Sequence, residues 1–130
     1  MAILFVCTGN ICRSAMAEAI ARDRGIEAGS AGTWAIDGNR ATADATTALA
    51  EIDIDLTKHR AQPLADVIAD EWDAIYAMTP EHIEEIARVG GHAELLHPLG
   101  VPIEDPYGLP LDVYRRIRDE IRDAVNERFG

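Results

Sequence analysis

The sequence predicts an α/β fold over residues 1–130: a single-domain, three-layer arrangement in which a four-stranded parallel sheet carries helices on both faces. Apolar runs typical of buried strands alternate along the chain with amphipathic helical patterns, and no repeat or low-complexity linker interrupts them. A chain of 130 residues is long enough for one hydrophobic core and too short for two. Right-handed crossovers place helices on both faces of such a sheet, and ligands then collect at the carboxyl ends of the strands.

The first half of the chain is predicted to contain two strands and two helices. In order, these are a strand over residues 3–6, a helix over 14–24, a strand over 26–31 and a helix with apolar positions between 41 and 52. Gly25 ends the first helix, because glycine readily adopts the backbone conformation found after a helix C-terminus. Asn39 or Thr42 caps the second helix, since both side chains can accept a hydrogen bond from a free backbone N–H.

The second half is predicted to repeat the alternation. Its elements are a brief helix from 63 to about 69, a strand over 73–78, a helix that ends at 90–91, a strand over 94–97 and a long helix from 112 onward. Thr79 caps the middle helix and Pro80 occupies its first turn. Residues 98–110, rich in proline and glycine, form the loop before the last helix.

Composition excludes several classes of partner. The formal net charge of −11 disfavours nucleic acid and anionic membrane surfaces. The longest early apolar run is about six residues, too short for a membrane span or signal-peptide core, so we expect no membrane insertion and a cytoplasmic location. The two cysteines form no disulfide framework, which fits a reducing compartment. The histidines His82, His92 and His97 show no metal-ligand spacing, so we expect no metal site.

Residues 7–14, Cys-Thr-Gly-Asn-Ile-Cys-Arg-Ser, connect the first predicted strand to the first helix. A short loop that enters a helix presents free backbone N–H groups and the positive end of the helix dipole, which together bind anions. Cys7 opens this loop, where positive potential favours the nucleophilic thiolate. Arg13 lies at the helix start, where its planar guanidinium can bind two oxygens of a phosphate. These features predict a phosphate loop and phosphoryl transfer to sulfur.

The stretch from Val6 to Ser14, with its Cys-x5-Arg-Ser pattern, resembles the low-molecular-weight protein tyrosine phosphatases. Three further segments, residues 30–33, 59–60 and 105–108, resemble blocks of the same family in the same order, so the resemblance covers most of the chain. It implies that Cys7 is the nucleophile and carries a phosphocysteine intermediate, that Arg13 binds the phosphoryl oxygens, and that Asp105 is the general acid and then the general base. Glu104 is the rival carboxylate, and the resemblance favours Asp105.

The resemblance also implies roles for other positions. The substrate-binding residues would be Thr8, Gly9, Asn10, Ile11, Cys12, Ser14, Trp34 and Tyr107. Asn10, Ser14, Ser30 and His59 would hold the loop in shape, although His59 read alone is equally a solvated histidine between two cations. Cys12 would form a reversible disulfide with Cys7 that protects the nucleophile, or would simply be a small residue that fits.

The function implied is hydrolysis of phosphotyrosine on proteins without a metal or a cofactor, and the protein partner would be a tyrosine kinase or its targets. The alternative is hydrolysis of phosphoarginine, because some bacterial members of the fold act on that group and resemble this chain around residues 30–35 and 108–120. Those enzymes carry threonine in place of Ile11, and an apolar side chain there suits a phenol ring better than a guanidinium. Arsenate reduction is less favoured, since a relay needs cysteines beyond Cys7 and Cys12. A non-catalytic phosphate-binding module would require neither Cys7 nor Asp105.

Overall fold

The structure, a computed structural model, describes residues 1–130. The strands are Ala2–Cys7 (β1), Glu27–Gly32 (β2), Ala74–Ala77 (β3) and Glu94–Leu95 (β4). The helices are Arg13–Asp23 (α1), Ala43–Ala50 (α2), Leu64–Val67 (α3), Pro80–Arg88 (α4) and Leu111–Phe129 (α5). The predicted alternation of strands and helices is therefore confirmed. None of the helices has the length and apolarity needed to span a lipid bilayer.

The four strands form one parallel sheet in the order β2-β1-β3-β4. β1 occupies a central position and is apolar throughout, because both of its faces are covered. Ile3 and Phe5 face a cluster formed with α1, α2 and α5. Leu4 and Val6 face a second cluster formed with α3 and α4. The three-layer arrangement expected from the sequence is thus confirmed, and both layers of helices are fixed by one buried strand.

Several element ends differ from the prediction. β4 has two residues rather than four, and Pro98, which has no N–H to donate, follows close behind it. The cap of α2 is Thr42, whose side chain accepts from the N–H of Ala45 at 3.2 Å. α2 ends at Ala50, so Ile52 lies beyond the helix, although it still packs against the core.

The end of β2 lies close to the loop that follows β1. Cys7 pairs with Gly32 in the sheet, and the N–H groups of Thr33 and Trp34 donate to the carbonyls of Cys7 and Thr8, each at 2.9 Å. A Cβ added at Gly32 would lie 2.4 Å from the Thr8 carbonyl oxygen, which is a backbone atom that cannot move aside. Glycine is therefore required here by the close approach of two backbones.

We predict that Gly32→Ala lowers the free energy of unfolding by about 1–3 kcal/mol, because it overpacks this contact, and that it also weakens binding of inorganic phosphate by the loop. Gly29→Ala is the matched control on the same strand, since its Cβ would meet the movable ring of Trp72 at 2.8 Å, away from the loop. Chemical denaturation and phosphate titration measure the two effects. Unchanged phosphate affinity in Gly32→Ala would contradict the requirement.

Candidate active site

A cleft of about 320 Å³ opens at the carboxyl edge of the sheet. The phosphate loop after β1, the segment after β2 and the loop before α5 form its walls. Its lining residues are Cys7, Thr8, Gly9, Ile11, Cys12, Arg13, Trp34, Ile36, Asn39, Asp105 and Tyr107. The structure thus brings the three predicted catalytic residues, Cys7, Arg13 and Asp105, together in one cleft.

Cys7 ends β1 and is buried, with its Sγ 2.9 Å from the Oγ of Ser14. The Nδ2 of Asn10 donates to the same Ser14 oxygen at 2.8 Å. Because the Ser14 oxygen already accepts from Asn10, its own hydrogen is left to donate to the sulfur. A hydrogen bond donated to sulfur favours the thiolate over the thiol.

Asn10 connects this contact to the rest of the fold. Its φ of 58° is in the left-handed region, which asparagine tolerates better than most residues. Its Oδ1 accepts from the N–H of Gln62 at 3.0 Å, which fixes the orientation of the amide. The second hydrogen of Nδ2 is donated to Ser30 Oγ at 2.8 Å, and Ser30 donates in turn to Glu18. A directed series of hydrogen bonds therefore runs from Asn10 to sulfur on one side and to a carboxylate on the other.

The His59 side chain contacts the backbone of the loop. Its Nε2 lies 2.6 Å from the Asn10 carbonyl oxygen, and because a carbonyl only accepts, Nε2 carries a hydrogen. Gln62 donates its side-chain amide to the carbonyl of Ser30 in β2 at 2.9 Å. The structure thus places His59 and Ser30 in contact with Asn10 of the loop, and their role in supporting it stays a prediction. Glu18 and Gln62 belong to the same network, and no local pattern in the sequence marked them.

Arg13, the first residue of α1, is buried. Its Nη1 donates to the Ile103 carbonyl at 3.0 Å, and its Nη2 lies 3.6 Å from Asp105 Oδ2. Its Nε is buried and has no hydrogen-bond acceptor within the protein. An unsatisfied buried donor is costly, and an oxygen of a bound phosphate would satisfy it. The guanidinium is therefore arranged to bind an anion.

Asp105 and Glu104 occupy different environments. The Asp105 side chain is 51% exposed, lines the cleft and accepts from the Tyr107 N–H at 3.1 Å through Oδ1. Glu104 instead pairs with Arg116 of α5 and does not line the cleft. Of the two neighbouring carboxylates, only Asp105 lies where it can exchange a proton with a group bound near Cys7.

The mouth of the cleft is largely apolar. Trp34 is 77% exposed and Tyr107 is 63% exposed, so both aromatic rings are available to a ligand. Ile11 belongs to the phosphate loop itself, and Ile36 adds apolar surface from the segment after β2. Ile36 and Asn39 were not predicted as site residues, because their approach depends on how the chain turns after β2.

The predicted substrate-binding residues fall into two groups. Those that line the cleft are Thr8, Gly9, Ile11, Cys12, Trp34 and Tyr107. Asn10 and Ser14 are fully buried and lie outside the lining, so the structure places them in the hydrogen-bond network that supports the loop.

Cys12 lies on the cleft wall but is buried against α5. Its Sγ is 3.5 Å from the Tyr114 hydroxyl and 3.6 Å from the Thr42 hydroxyl. Burial raises the pKa of the Cys12 thiol, and the two hydroxyl contacts offset only part of that increase. Cys7 and Cys12 are both free thiols in the structure.

The chain is similar to known proteins over nearly its whole length. The sequence model of the family described as low molecular weight phosphotyrosine protein phosphatase matches residues 2–129. The protein-arginine-phosphatase of Bacillus subtilis is 34% identical, over 98% of this chain and 93% of the relative. The probable low molecular weight protein-tyrosine-phosphatase EpsP of Ralstonia nicotianae is also 34% identical, over 95% of this chain and 90% of the relative.

Solved structures agree in fold. The low molecular weight protein tyrosine phosphatase of T. tengcongensis matches with a TM-score of 0.88 and 34% identity, over 98% of this chain and 97% of that one. The YwlE arginine phosphatase, as a C7S mutant with a phosphorylated active site serine, gives the same TM-score and identity over 98% of this chain and 93% of that one. The chain is a phosphatase and belongs to the low-molecular-weight phosphotyrosine protein phosphatase family.

Proposed function

We propose that the protein hydrolyses phosphotyrosine on proteins through a phosphocysteine intermediate. The observation that carries the proposal is the single cleft in which Cys7, Arg13 and Asp105 meet beneath an apolar mouth. The partner would be a protein that carries phosphotyrosine, either a tyrosine kinase or one of its targets. No step of the mechanism below requires a metal or a cofactor.

In the first step, the Cys7 thiolate attacks phosphorus as the bond between phosphorus and the tyrosine oxygen breaks. Ser14 stabilises the thiolate before attack by the hydrogen bond at 2.9 Å. Arg13 and the backbone N–H groups of the loop stabilise the charge that spreads over the phosphoryl oxygens. Asp105 gives its proton to the departing phenolate oxygen. The products are the unphosphorylated tyrosine side chain of the substrate protein and a phosphoryl group on the Cys7 sulfur.

In the second step, a water molecule attacks the phosphorus of phosphocysteine. Asp105, now a carboxylate, takes a proton from that water as its oxygen bonds to phosphorus. The sulfur–phosphorus bond breaks, and Cys7 returns to the thiolate held by Ser14. Inorganic phosphate leaves, and the enzyme is restored with no net change.

The composition of the mouth supports phosphotyrosine as the substrate. Ile11, Trp34 and Tyr107 offer apolar and aromatic surface at the cleft, where a phenol ring would bury apolar area and stack. Arg13 and Asp105 are the only charged residues of the lining, and the guanidinium of one is 3.6 Å from the carboxylate of the other. A second cation, such as the guanidinium of phosphoarginine, would have to share that single carboxylate.

Phosphoarginine is the second candidate substrate, because the relative from Bacillus subtilis is named a protein-arginine-phosphatase. The relative from Ralstonia nicotianae, named as a probable tyrosine phosphatase, is equally similar at 34% identity. Overall similarity therefore favours neither substrate, and the choice rests on the side chains of the cleft.

Replacing the catalytic residues should separate their roles. Cys7→Ser should abolish phosphate release from a phosphotyrosine peptide, because the hydroxyl is a far weaker nucleophile than the thiolate. Asp105→Asn should slow release by about 10²- to 10⁴-fold and remove the basic limb of the pH profile, since a proton donor is lost. Glu104→Gln is the matched control and should leave rate and profile unchanged. A pH profile unaltered in Asp105→Asn would reject Asp105 as the acid.

Ile11→Thr should shift substrate preference. Replacing the apolar branch by a hydroxyl should lower the ratio of kcat/KM for phosphotyrosine over phosphoarginine peptides by about tenfold, because apolar contact with the ring is lost. Parallel assays without added metal, with a phosphoserine peptide included, measure the ratio. Ile36→Thr controls for a general loss of apolar surface and should not raise activity on phosphoarginine. An unchanged ratio in Ile11→Thr would remove the reason for preferring phosphotyrosine.

A further inference from the structure

His82 is a buried histidine that connects the first turn of α4 to the phosphate loop. The residue is 4% exposed, and Nε2 lies 2.9 Å from the Thr8 hydroxyl oxygen. On the other side of the ring, Nδ1 is 3.2 Å from the Thr79 backbone nitrogen and 3.0 Å from the Thr79 hydroxyl. Both ring nitrogens are thus bonded, one to the helix start and one to the residue directly after the nucleophile.

The bonding partners determine where the ring hydrogen lies. The backbone N–H of Thr79 can only donate, so Nδ1 is an acceptor and carries no hydrogen. In the neutral imidazole the hydrogen is then on Nε2, which donates to Thr8 Oγ1. The Thr8 hydroxyl keeps its own hydrogen for another acceptor, and Thr8 lines the cleft.

The surroundings keep His82 uncharged. Burial and the nearby Arg13 guanidinium lower the pKa of His82 to about 4, and the opposing effects of Glu81 and Asp105 are smaller. A second positive charge beside Arg13 is avoided, while the hydrogen-bond donor remains. Protonation would also place a hydrogen on Nδ1, opposite the Thr79 N–H, and would break that contact.

Thr8 is held from two directions. Its hydroxyl accepts from His82, and its carbonyl accepts from the Trp34 N–H at 2.9 Å. The Asn10 network supports the middle of the loop from the α1 side and from the segment around Gln62. His82 reaches the loop from α4, a helix that packs on the face of the sheet opposite to α1.

We propose that His82 is a positioning residue of the phosphate loop, which holds Thr8 and the first peptide after Cys7 by a neutral Nε2–H hydrogen bond from α4. It does not touch the substrate, and it acts through Thr8. The proposal deepens the proposed function, because it rests on the same loop binding phosphate. The Thr8 hydroxyl, oriented by His82, can then donate to an oxygen of the bound phosphoryl group.

The first test uses the unmodified protein. Nitrogen-15 NMR of the histidine rings near pH 6.5 should show His82 as the neutral tautomer with hydrogen on Nε2. Adding inorganic phosphate should shift the His82 Nε2 and Thr8 amide signals. A tautomer with hydrogen on Nδ1, a charged ring, or His82 and Thr8 signals that do not shift when phosphate is added would overturn the proposal.

Variants test the action through Thr8. His82→Leu should weaken inorganic phosphate binding by about tenfold, because a buried hydrogen bond is lost, and His82→Gln should restore most of it by supplying an amide N–H near the Nε2 position. On a Thr8→Val background the two His82 variants should bind phosphate equally. Calorimetry gives the affinities, and thermal unfolding shows that each variant is folded. An equal loss on both backgrounds would show that His82 does not act through Thr8.

These measurements do not require turnover. The enzyme could fail to hydrolyse phosphotyrosine while His82 shows the Nε2–H tautomer and the losses of phosphate affinity in the His82 and Thr8 variants are non-additive. In that case the proposed substrate is wrong and the role of His82 stands. In the converse result, the enzyme hydrolyses phosphotyrosine but the losses of phosphate affinity in the His82 and Thr8 variants are additive. That result would remove only the role of His82.

The low pKa of His82 also predicts a dependence of stability on pH. Between pH 6.5 and about 4 the unfolded chain binds a proton at this histidine and the folded chain does not. The folded state therefore has its full stability relative to the unfolded chain above pH 6.5. Proton binding at this histidine in the unfolded chain lowers that stability as the pH falls through this window. Compared with His82→Gln, the folding equilibrium constant of the unmodified protein should fall by about two orders of magnitude more. Parallel denaturation curves at pH 7 and pH 4 measure the difference, and equal pH dependence would show that the ring is not held neutral.

Discussion

The left-handed backbone of Asn10 is the constraint on which the site depends. A short loop that turns its N–H groups inward needs a residue that accepts a positive φ, and the φ of Asn10 is 58°. Glycine would accept that conformation, but only a carboxamide also supplies one acceptor and two donors to buried partners. Those partners are Gln62, Ser14 and Ser30, so the same residue that bends the loop also orders the groups around the sulfur.

The parallel sheet explains how one short loop acquires distant partners. All four strands end at the same edge, and the segment after each one contributes a group. β1 leads into the phosphate loop, and β2 leads to Trp34. β3 leads to the start of α4 with His82, and the segment after β4 supplies the Ile103 carbonyl that orients Arg13. Ile103 itself donates its backbone N–H to the carbonyl of Met78, the residue directly after β3. Arg13 is the only cation of the cleft lining, in a chain whose net charge is −11.

The sequence predicted those parts of the site that are encoded within a few residues. Cys7 and Arg13 lie on one loop with fixed spacing, and Asp105 lies in a recognisable block, so their meeting in one cleft could be predicted, while their catalytic roles stay a prediction. Glu18, Gln62 and His82 could not, because their contacts depend on the packing of elements far apart in the chain. For His82 the sequence shows only that its spacing from His92 and His97 does not suit a metal ion, and no local pattern points to Thr8. The fold class was predictable from alternating patterns, whereas the short β4 and the early end of α2 reflect tertiary packing that composition does not reveal.

The central claim is that the phosphoryl group passes through the sulfur of Cys7. Rapid-quench mass spectrometry of the enzyme mixed with a phosphotyrosine peptide tests it most directly. The account predicts a transient addition of one phosphoryl group, mapped to the peptide that contains Cys7 and formed at least as fast as the steady-state turnover. Turnover without any phosphorylated Cys7, or a phosphoryl group on another residue, would contradict it.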